Sequence, residues 1–225
     1  MRKLLLLILL LSIPIAYMLL LPSKSPEERI ATARTYAEEE WSQHFGKAVF
    51  LRIIKEEKIL ELWLQERDSR RWKCHKSYSI AAMSGTLGPK TAEGDKQAPE
   101  GFYRVYPHSM NPQSKFHLAF NIGYPNLYDR RLGRTGSFIM VHGGWRSVGC
   151  FAMTDAGIEE IYTLVNEAFK AGVPEVPVQI YPFRMTPERM EKEKGNTHYA
   201  FWQHLHPGWL HTETRHEPYP DTDTP

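Results

Sequence analysis

The sequence predicts a mainly β domain with helices packed around it. Three patterns point there: short apolar runs of strand length, glycine- and proline-rich connections, and one strongly amphipathic helix late in the chain. Ala48 to Ile54 and Lys58 to Gln65 read as two strands, with Lys55-Glu56-Glu57 as the turn of a hairpin. Trp72 to Ala82 suggests a third strand. Met83 to Glu100 is a loop rich in glycine and proline, and extended structure resumes at Gly101-Phe102-Tyr103-Arg104-Val105. Gly136 to Val141 reads as a buried strand ending at His142, and Val176 to Tyr181 as the last strand.

Helical periodicity appears directly after the glycine-rich segment that follows His142. Thr154 is positioned as an N-cap, and Ile158, Ile161, Tyr162, Val165, Ala168 and Phe169 recur every three or four residues before Gly172 stops the helix. That apolar face is expected to pack on a sheet. Thr186-Pro187-Glu188-Arg189 opens a further helix, with proline at the first helical position. From Glu217 onward the tail is proline-rich and acidic, a composition that predicts disorder.

The N-terminus carries an export signal. Met1-Arg2-Lys3 is basic, and the run from Leu4 to Leu21 is apolar apart from Ser12 and Pro14. As a helix it would span about 27 Å, close to a hydrocarbon core of about 30 Å. No small-x-small cleavage site lies around Tyr17 to Ser23, so an uncleaved inner-membrane anchor is favoured over a cleaved signal peptide, with Arg2 and Lys3 on the cytoplasmic side. No cysteine follows the run, so lipoprotein processing is not suggested. Next, Ser25-Pro26-Glu27-Glu28 has the pattern of a helix start, and a helix to about Phe45 reads as a stalk. The expected organisation is therefore an anchor or signal over 1–22, a stalk over 23–47, a main domain over 48–185, and a helical extension with a flexible tail over 186–225.

Composition restricts the function. The 225 residues carry a formal net charge of only +2, which gives no broad cationic surface for nucleic acid. There is no internal repeat, no heptad pattern and no phosphate-binding glycine loop. His198, His204, His206 and His211 crowd the C-terminal region, but their spacing fits no familiar ligand set, so neither metal nor cofactor is expected.

The stretch Ile139-Met140-Val141-His142-Gly143-Gly144-Trp145-Arg146-Ser147-Val148-Gly149-Cys150-Phe151-Ala152-Met153 carries the chemistry. A strand delivers a histidine, a glycine loop turns, and a cysteine arrives just before a helix. A free thiol is only a few per cent ionised near neutrality, and an imidazole or a helix N-terminus raises that fraction. His142 could take the Cys150 proton and return it to a leaving amine, and the Thr154 helix offers its positive end. The Gly149 and Cys150 amides are the candidates for holding an oxyanion. Spacing alone leaves an alternative open: a structural thiol, or a disulfide between Cys74 and Cys150 in an oxidising compartment.

This segment resembles the signature of the L,D-transpeptidase (YkuD-type) catalytic domain, a His-Gly after a strand followed by Ser-x-Gly-Cys. Two further stretches resemble the family in the right order. They are Gly85-Thr86-Leu87-Gly88-Pro89-Lys90 with Glu93-Gly94-Asp95 and Ala98-Pro99-Glu100-Gly101-Phe102-Tyr103, and Asn121-Ile122-Gly123-Tyr124-Pro125-Asn126 with Tyr128-Asp129-Arg130. Together they cover roughly 48–184. The resemblance implies a β-sandwich-like fold, Cys150 as nucleophile, and a thioester acyl-enzyme formed at diaminopimelate in a peptidoglycan stem peptide. It also implies a periplasmic location in a Gram-negative bacterium.

Two departures bear on the activity. Most members have histidine and arginine where this chain has Val148 and Ala152, and the interval from His142 to Cys150 is shorter than usual. These features are similar to the YafK/DpaA-like branch, which implies an amidase that releases murein-bound lipoprotein. The alternatives are a transpeptidase that makes 3-3 cross-links or attaches lipoprotein, and a non-catalytic wall-binding module closed by the disulfide. Arg130, Arg131 and Arg134 could meet substrate carboxylates, or could form a solvated loop. Tyr124 and Tyr128 could line the groove or pack in the core. Gly143 and Ser147 belong to the loop facing the substrate, where Ser147 reads as a turn residue and not as a nucleophile.

Overall fold

The computed structural model describes residues 25–31, 41–67, 69 and 71–220. The apolar run over 4–21 lies outside them, as do residues 23–24 and 32–40 of the expected stalk. No helix among the described residues is long and apolar enough to cross a membrane. At the stalk's start, Ser25 and Glu28 cap each other reciprocally, Glu28 N–H to Ser25 Oγ at 3.1 Å and Ser25 N–H to Glu28 Oε2 at 2.6 Å. Arg29 donates to the carbonyls of Ser114 and His117, Ile30 touches the main core, and Trp41 is buried.

Among the described residues, nine strands form two sheets. The first contains β1 (Val49–Ile54), β2 (Ile59–Gln65), β3 (Trp72–Ser79), β4 (Gly101–Val105) and β9 (Val176–Tyr181) in the order β3-β2-β1-β9-β4. The second contains β5 (Met110–Asn111), β6 (Ala119–Asn121), β7 (Met140–His142) and β8 (Phe151–Ala152), in chain order. They are joined by the helices α1 (Leu127–Arg131), α2 (Asp155–Lys170), α3 (Pro187–Lys192) and α4 (Tyr199–Arg215). The expected hairpin is β1–β2, antiparallel with Val49 opposite Leu64. The result is mixed sheets with a few helices.

β1 is buried along its whole length because its sheet is covered on both sides. Val49, Leu51 and Ile53 enter the larger core with Leu60, Leu62, Leu64, Val178 and Ile180. That core is completed by Phe120, Val141 and Phe151 from the second sheet and by Ile158, Ile161 and Val165 from α2. The alternate residues face the other way. Ile54, Phe102 and Tyr181 meet Trp202, Leu205 and Trp209 of α4 in a second core.

The C-terminal region is thus a layer of the fold and not an appendage. A Cβ at Gly208 would lie 2.5 Å from the Phe102 ring, so a glycine is what lets α4 approach the sheet this closely. Polar groups in this layer are paired. Arg52 bonds Glu61 and Glu213 with its guanidinium between the Trp63 and Trp209 rings. Lys55 donates to Gly88 O, Ala98 O and Glu100, whose other carboxylate oxygen accepts from Trp202 Nε1 at 2.9 Å.

Three expectations are corrected. The third strand stops at Ser79, and the strand before His142 begins at Met140, not Gly136. Gly136 and Phe138 have φ of +138° and +53°, which breaks the extended backbone there. The described start of the tail is docked, with the Tyr219 ring 5.5 Å from Phe102 and its carbonyl accepting from Gln179. Composition predicts solubility of a tail and is blind to a single aromatic that finds a seat.

Candidate active site

Register in the second sheet brings the two sequence-predicted residues together. β7 and β8 run parallel with Val141 opposite Phe151 and His142 opposite Ala152. Val141 and Phe151 point into the core, so His142, the next residue on β7, and Cys150, directly before β8, project on the opposite face. Diagonal neighbours on one face lie about 7–8 Å apart. The Met140 N–H, in the same strand as His142, donates to Cys150 Sγ at 3.3 Å.

His142 is buried, and its Nδ1 lies 2.6 Å from Gly143 O. A carbonyl only accepts, so Nδ1 carries the hydrogen and Nε2 keeps the basic lone pair. Burial pushes the imidazole pKa down against the pull of that hydrogen bond, which keeps the ring neutral and basic near pH 7. Gly143 N–H donates to Leu118 O, and a Cβ at Gly143 would sit 2.7 Å from both Phe116 O and the Asp155 carboxylate. Gly143 was expected to face substrate; its backbone groups are instead used to hold the histidine.

The expected depression of the Cys150 pKa is absent. Burial pushes the thiol up, opposed by the Met140 N–H and the Lys90 ammonium. The thiol also contacts Phe138 O, at 3.6 Å. At the start of α2 Thr154 caps Gly157 N–H, and the Asp155 carboxylate of the first turn accepts from Gly144 N–H. The directions of the two shifts favour a neutral thiol and a neutral imidazole at rest near pH 7.

Gly149 has φ of +80°, which favours glycine, and its N–H donates to Ser84 Oγ at 2.8 Å. That donor is already used, so of the two amides named for an oxyanion Cys150 N–H is the one left. Both cysteines are free thiols, so the disulfide alternative is not what the structure contains. Ser147 sits at the turn with its hydroxyl buried and without a hydrogen-bond partner among the described residues.

The remaining candidates separate. Tyr124 is buried, its hydroxyl donating to Lys90 O at 3.1 Å, so it belongs to the core and not to a groove. Tyr128 stacks on His204 of α4 at 4.2 Å. Arg130 is exposed and bonds Pro125 O, whereas Arg134 is tied to the buried Asp129 at 2.7 Å and lies over Phe201. Among the histidines, His198 packs on Trp202, and His211 lies near Tyr219 and Glu217. Among the described residues no group of three metal-ligating side chains converges.

Sequence reasoning missed Ser84 and Lys90, which reach the site from the long loop before β4. Phe138 (74% exposed), Trp145 (73%), Phe116 and Val148 are large apolar side chains left exposed on the segments that carry His142 and Cys150 or lead to them, and Phe116 lies 4.9 Å from the His142 ring. The signal available was the apolar and aromatic content of these glycine-rich segments.

Comparison with known proteins agrees with this geometry. Residues 50–180 match the YkuD family, the L,D-transpeptidase catalytic domain. A protein of Escherichia coli strain K12 named "Putative L,D-transpeptidase YafK" is 40% identical over 220 residues, covering 97% of this chain and 86% of that one. Among solved structures, the helical cell shape determining protein Pgp2 of Campylobacter jejuni is 24% identical with a TM-score of 0.48. That match covers 67% of this chain, which spans 55% of the Pgp2 chain. Bd1075 of Bdellovibrio bacteriovorus is 20% identical with a TM-score of 0.42, covering 76% of this chain and 60% of that one. With the domain model spanning more than half of the residues and the histidine and cysteine of its signature on one sheet face, the chain belongs to the L,D-transpeptidase catalytic-domain family, in its YafK-like branch.

Proposed function

We propose that this chain is a peptidoglycan-acting cysteine enzyme that forms a thioester at a diaminopimelate carbonyl, and that its acceptor is water, so that it releases murein-bound lipoprotein. The observation that carries the reading is the His142 ring held by Gly143 O with its basic nitrogen unengaged there, on the sheet face that also presents Cys150. The thiol sulfur would form a bond to the carbonyl carbon while its proton passes to Nε2. The carbonyl π pair moves to oxygen, near Cys150 N–H. Collapse expels the amine, which takes the proton from His142 and leaves the thioester. Water then attacks with His142 again as base, giving the carboxylate and the free thiol.

Hydrolysis is favoured by Ala152, where an arginine would otherwise be available to hold an acceptor's carboxylate. Ala152 is buried and bonded on both sides, to Ala81 N–H and Ala82 O, so nothing in its place reaches out. The 40% identity to a protein named as an L,D-transpeptidase favours the second reading, in which an amine replaces water. Purified protein incubated with sacculi carrying bound lipoprotein should liberate lipoprotein-derived lysine at its attachment point. Direct diaminopimelate cross-links without that release would establish the transpeptidase instead. The N-terminal run would hold the enzyme at the inner membrane with its catalytic domain in the periplasm, which fractionation of the full chain would test.

A further inference from the structure

We propose that Ser84 is a positioning residue for the acyl-transfer step: its hydroxyl locks the Gly149–Cys150 elbow so that the Cys150 N–H is aimed at the developing oxyanion. The inference rests on Cys150 being the nucleophile. Ser84 comes from the loop after β3, outside the cysteine segment, and its Oγ is engaged twice. It accepts from Gly149 N–H at 2.8 Å and donates to Lys96 O at 2.6 Å. Its backbone is fixed as well, because Ala98 N–H donates to Ser84 O and the nearby Ala82 bridges Ala152, two residues past the nucleophile.

A hydroxyl held from both sides cannot rotate away, so Gly149 N–H keeps a defined direction. Gly149 needs that support. Its φ is +80°, and a Cβ built there would meet only Gln97 O and the Ile139 side chain at 3.6 and 3.8 Å, so the space beside the glycine is open and the Ser84 hydroxyl supplies the hydrogen bond that holds its N–H. Without a side chain, a glycine explores backbone space more widely than other residues, and rotation there would swing the next amide. An oxyanion donor acts only when preorganised, and misplacing it by about 1 Å costs rate without affecting the thiol itself.

The test separates oxyanion stabilisation from thiol reactivity. Ser84→Thr and Ser84→Val have the same shape, and only threonine keeps the hydroxyl. Acylation of Cys150 by a carbapenem passes through a tetrahedral oxyanion, whereas alkylation by iodoacetamide does not. Both are read by mass spectrometry of the intact protein. Ser84→Val should acylate about 10-fold or more slowly than Ser84→Thr, while alkylation rates and their pH profiles coincide and both variants melt within a few degrees of each other. Equal acylation by the two variants overturns the proposal, and so does a parallel loss of acylation and alkylation. Wild-type protein that is neither acylated nor alkylated at Cys150 would instead remove the nucleophile reading beneath it.

Discussion

Cys74 lies in β3 and Cys150 directly before β8, and burial pushes both thiols up. What opposes burial differs. At Cys74 the Glu61 carboxylate adds to the upward push, and Ser77, Arg52 and Arg184 work against it. The thiol lines a cavity of about 300 Å³ with His44, Lys47 and His75. At Cys150 no carboxylate contributes: a backbone N–H points at sulfur, a lysine stands nearby, and a neutral histidine shares the sheet face. A cavity and two nearby histidines thus belong to the cysteine outside the family signature. Reactivity is decided by groups that stabilise sulfur's negative charge and by a base that can receive the proton, which cavity volume does not measure.

Substitution at the two sulfurs gives the largest expected contrast. Cys150→Ala should lower release from sacculi by about 10⁴-fold or more, while Cys74→Ala should stay within about twofold. A comparable loss at both would erase the distinction. His142→Gln keeps the ring's approximate volume and a donor but lacks a base, and should cost about 10²–10⁴-fold in kcat/KM, with Cys150 still alkylated by iodoacetamide.

The pH dependence of kcat/KM sharpens the description of the resting pair. Burial lowers the His142 pKa, so activity should rise with pH through a midpoint below the ordinary imidazole value, as the ring loses its proton and becomes a base. It should then stay level until thiols ionise, because burial raises the Cys150 pKa. A fall in activity above the ordinary imidazole value, as a raised imidazolium loses its proton, would indicate a thiolate–imidazolium pair instead. The smallest effect belongs to Lys90. Lys90→Met removes one favourable charge, itself paired with Asp95, and should slow Cys150 alkylation about two- to threefold while leaving Cys74 unchanged.

The same contrast shows what could be read in advance. The hairpin, the Thr154 cap and the buried face of α2 follow from spacing and capping chemistry that act within a few residues, and the structure has them. The strand before His142 was overextended because apolar content does not reveal the positive φ of Phe138. Tyr124 read as a groove or a core residue, and Arg134 as a substrate contact or part of a solvated loop, since a side chain's type is the same in either place. Their burial against Lys90 O and Asp129 decided it.

By itself, then, the sequence determined the strand and helix periods, the family signature and the two residues proposed to carry the chemistry, all set by local spacing. Only the tertiary structure decided that Gly149 N–H is taken by Ser84, that Gly143 O orients His142, and that α4 covers the sheet's second face. Those contacts join segments far apart in the chain or use backbone atoms that every residue possesses. Their identity therefore depends on how the chain folds back on itself, which no residue pattern records.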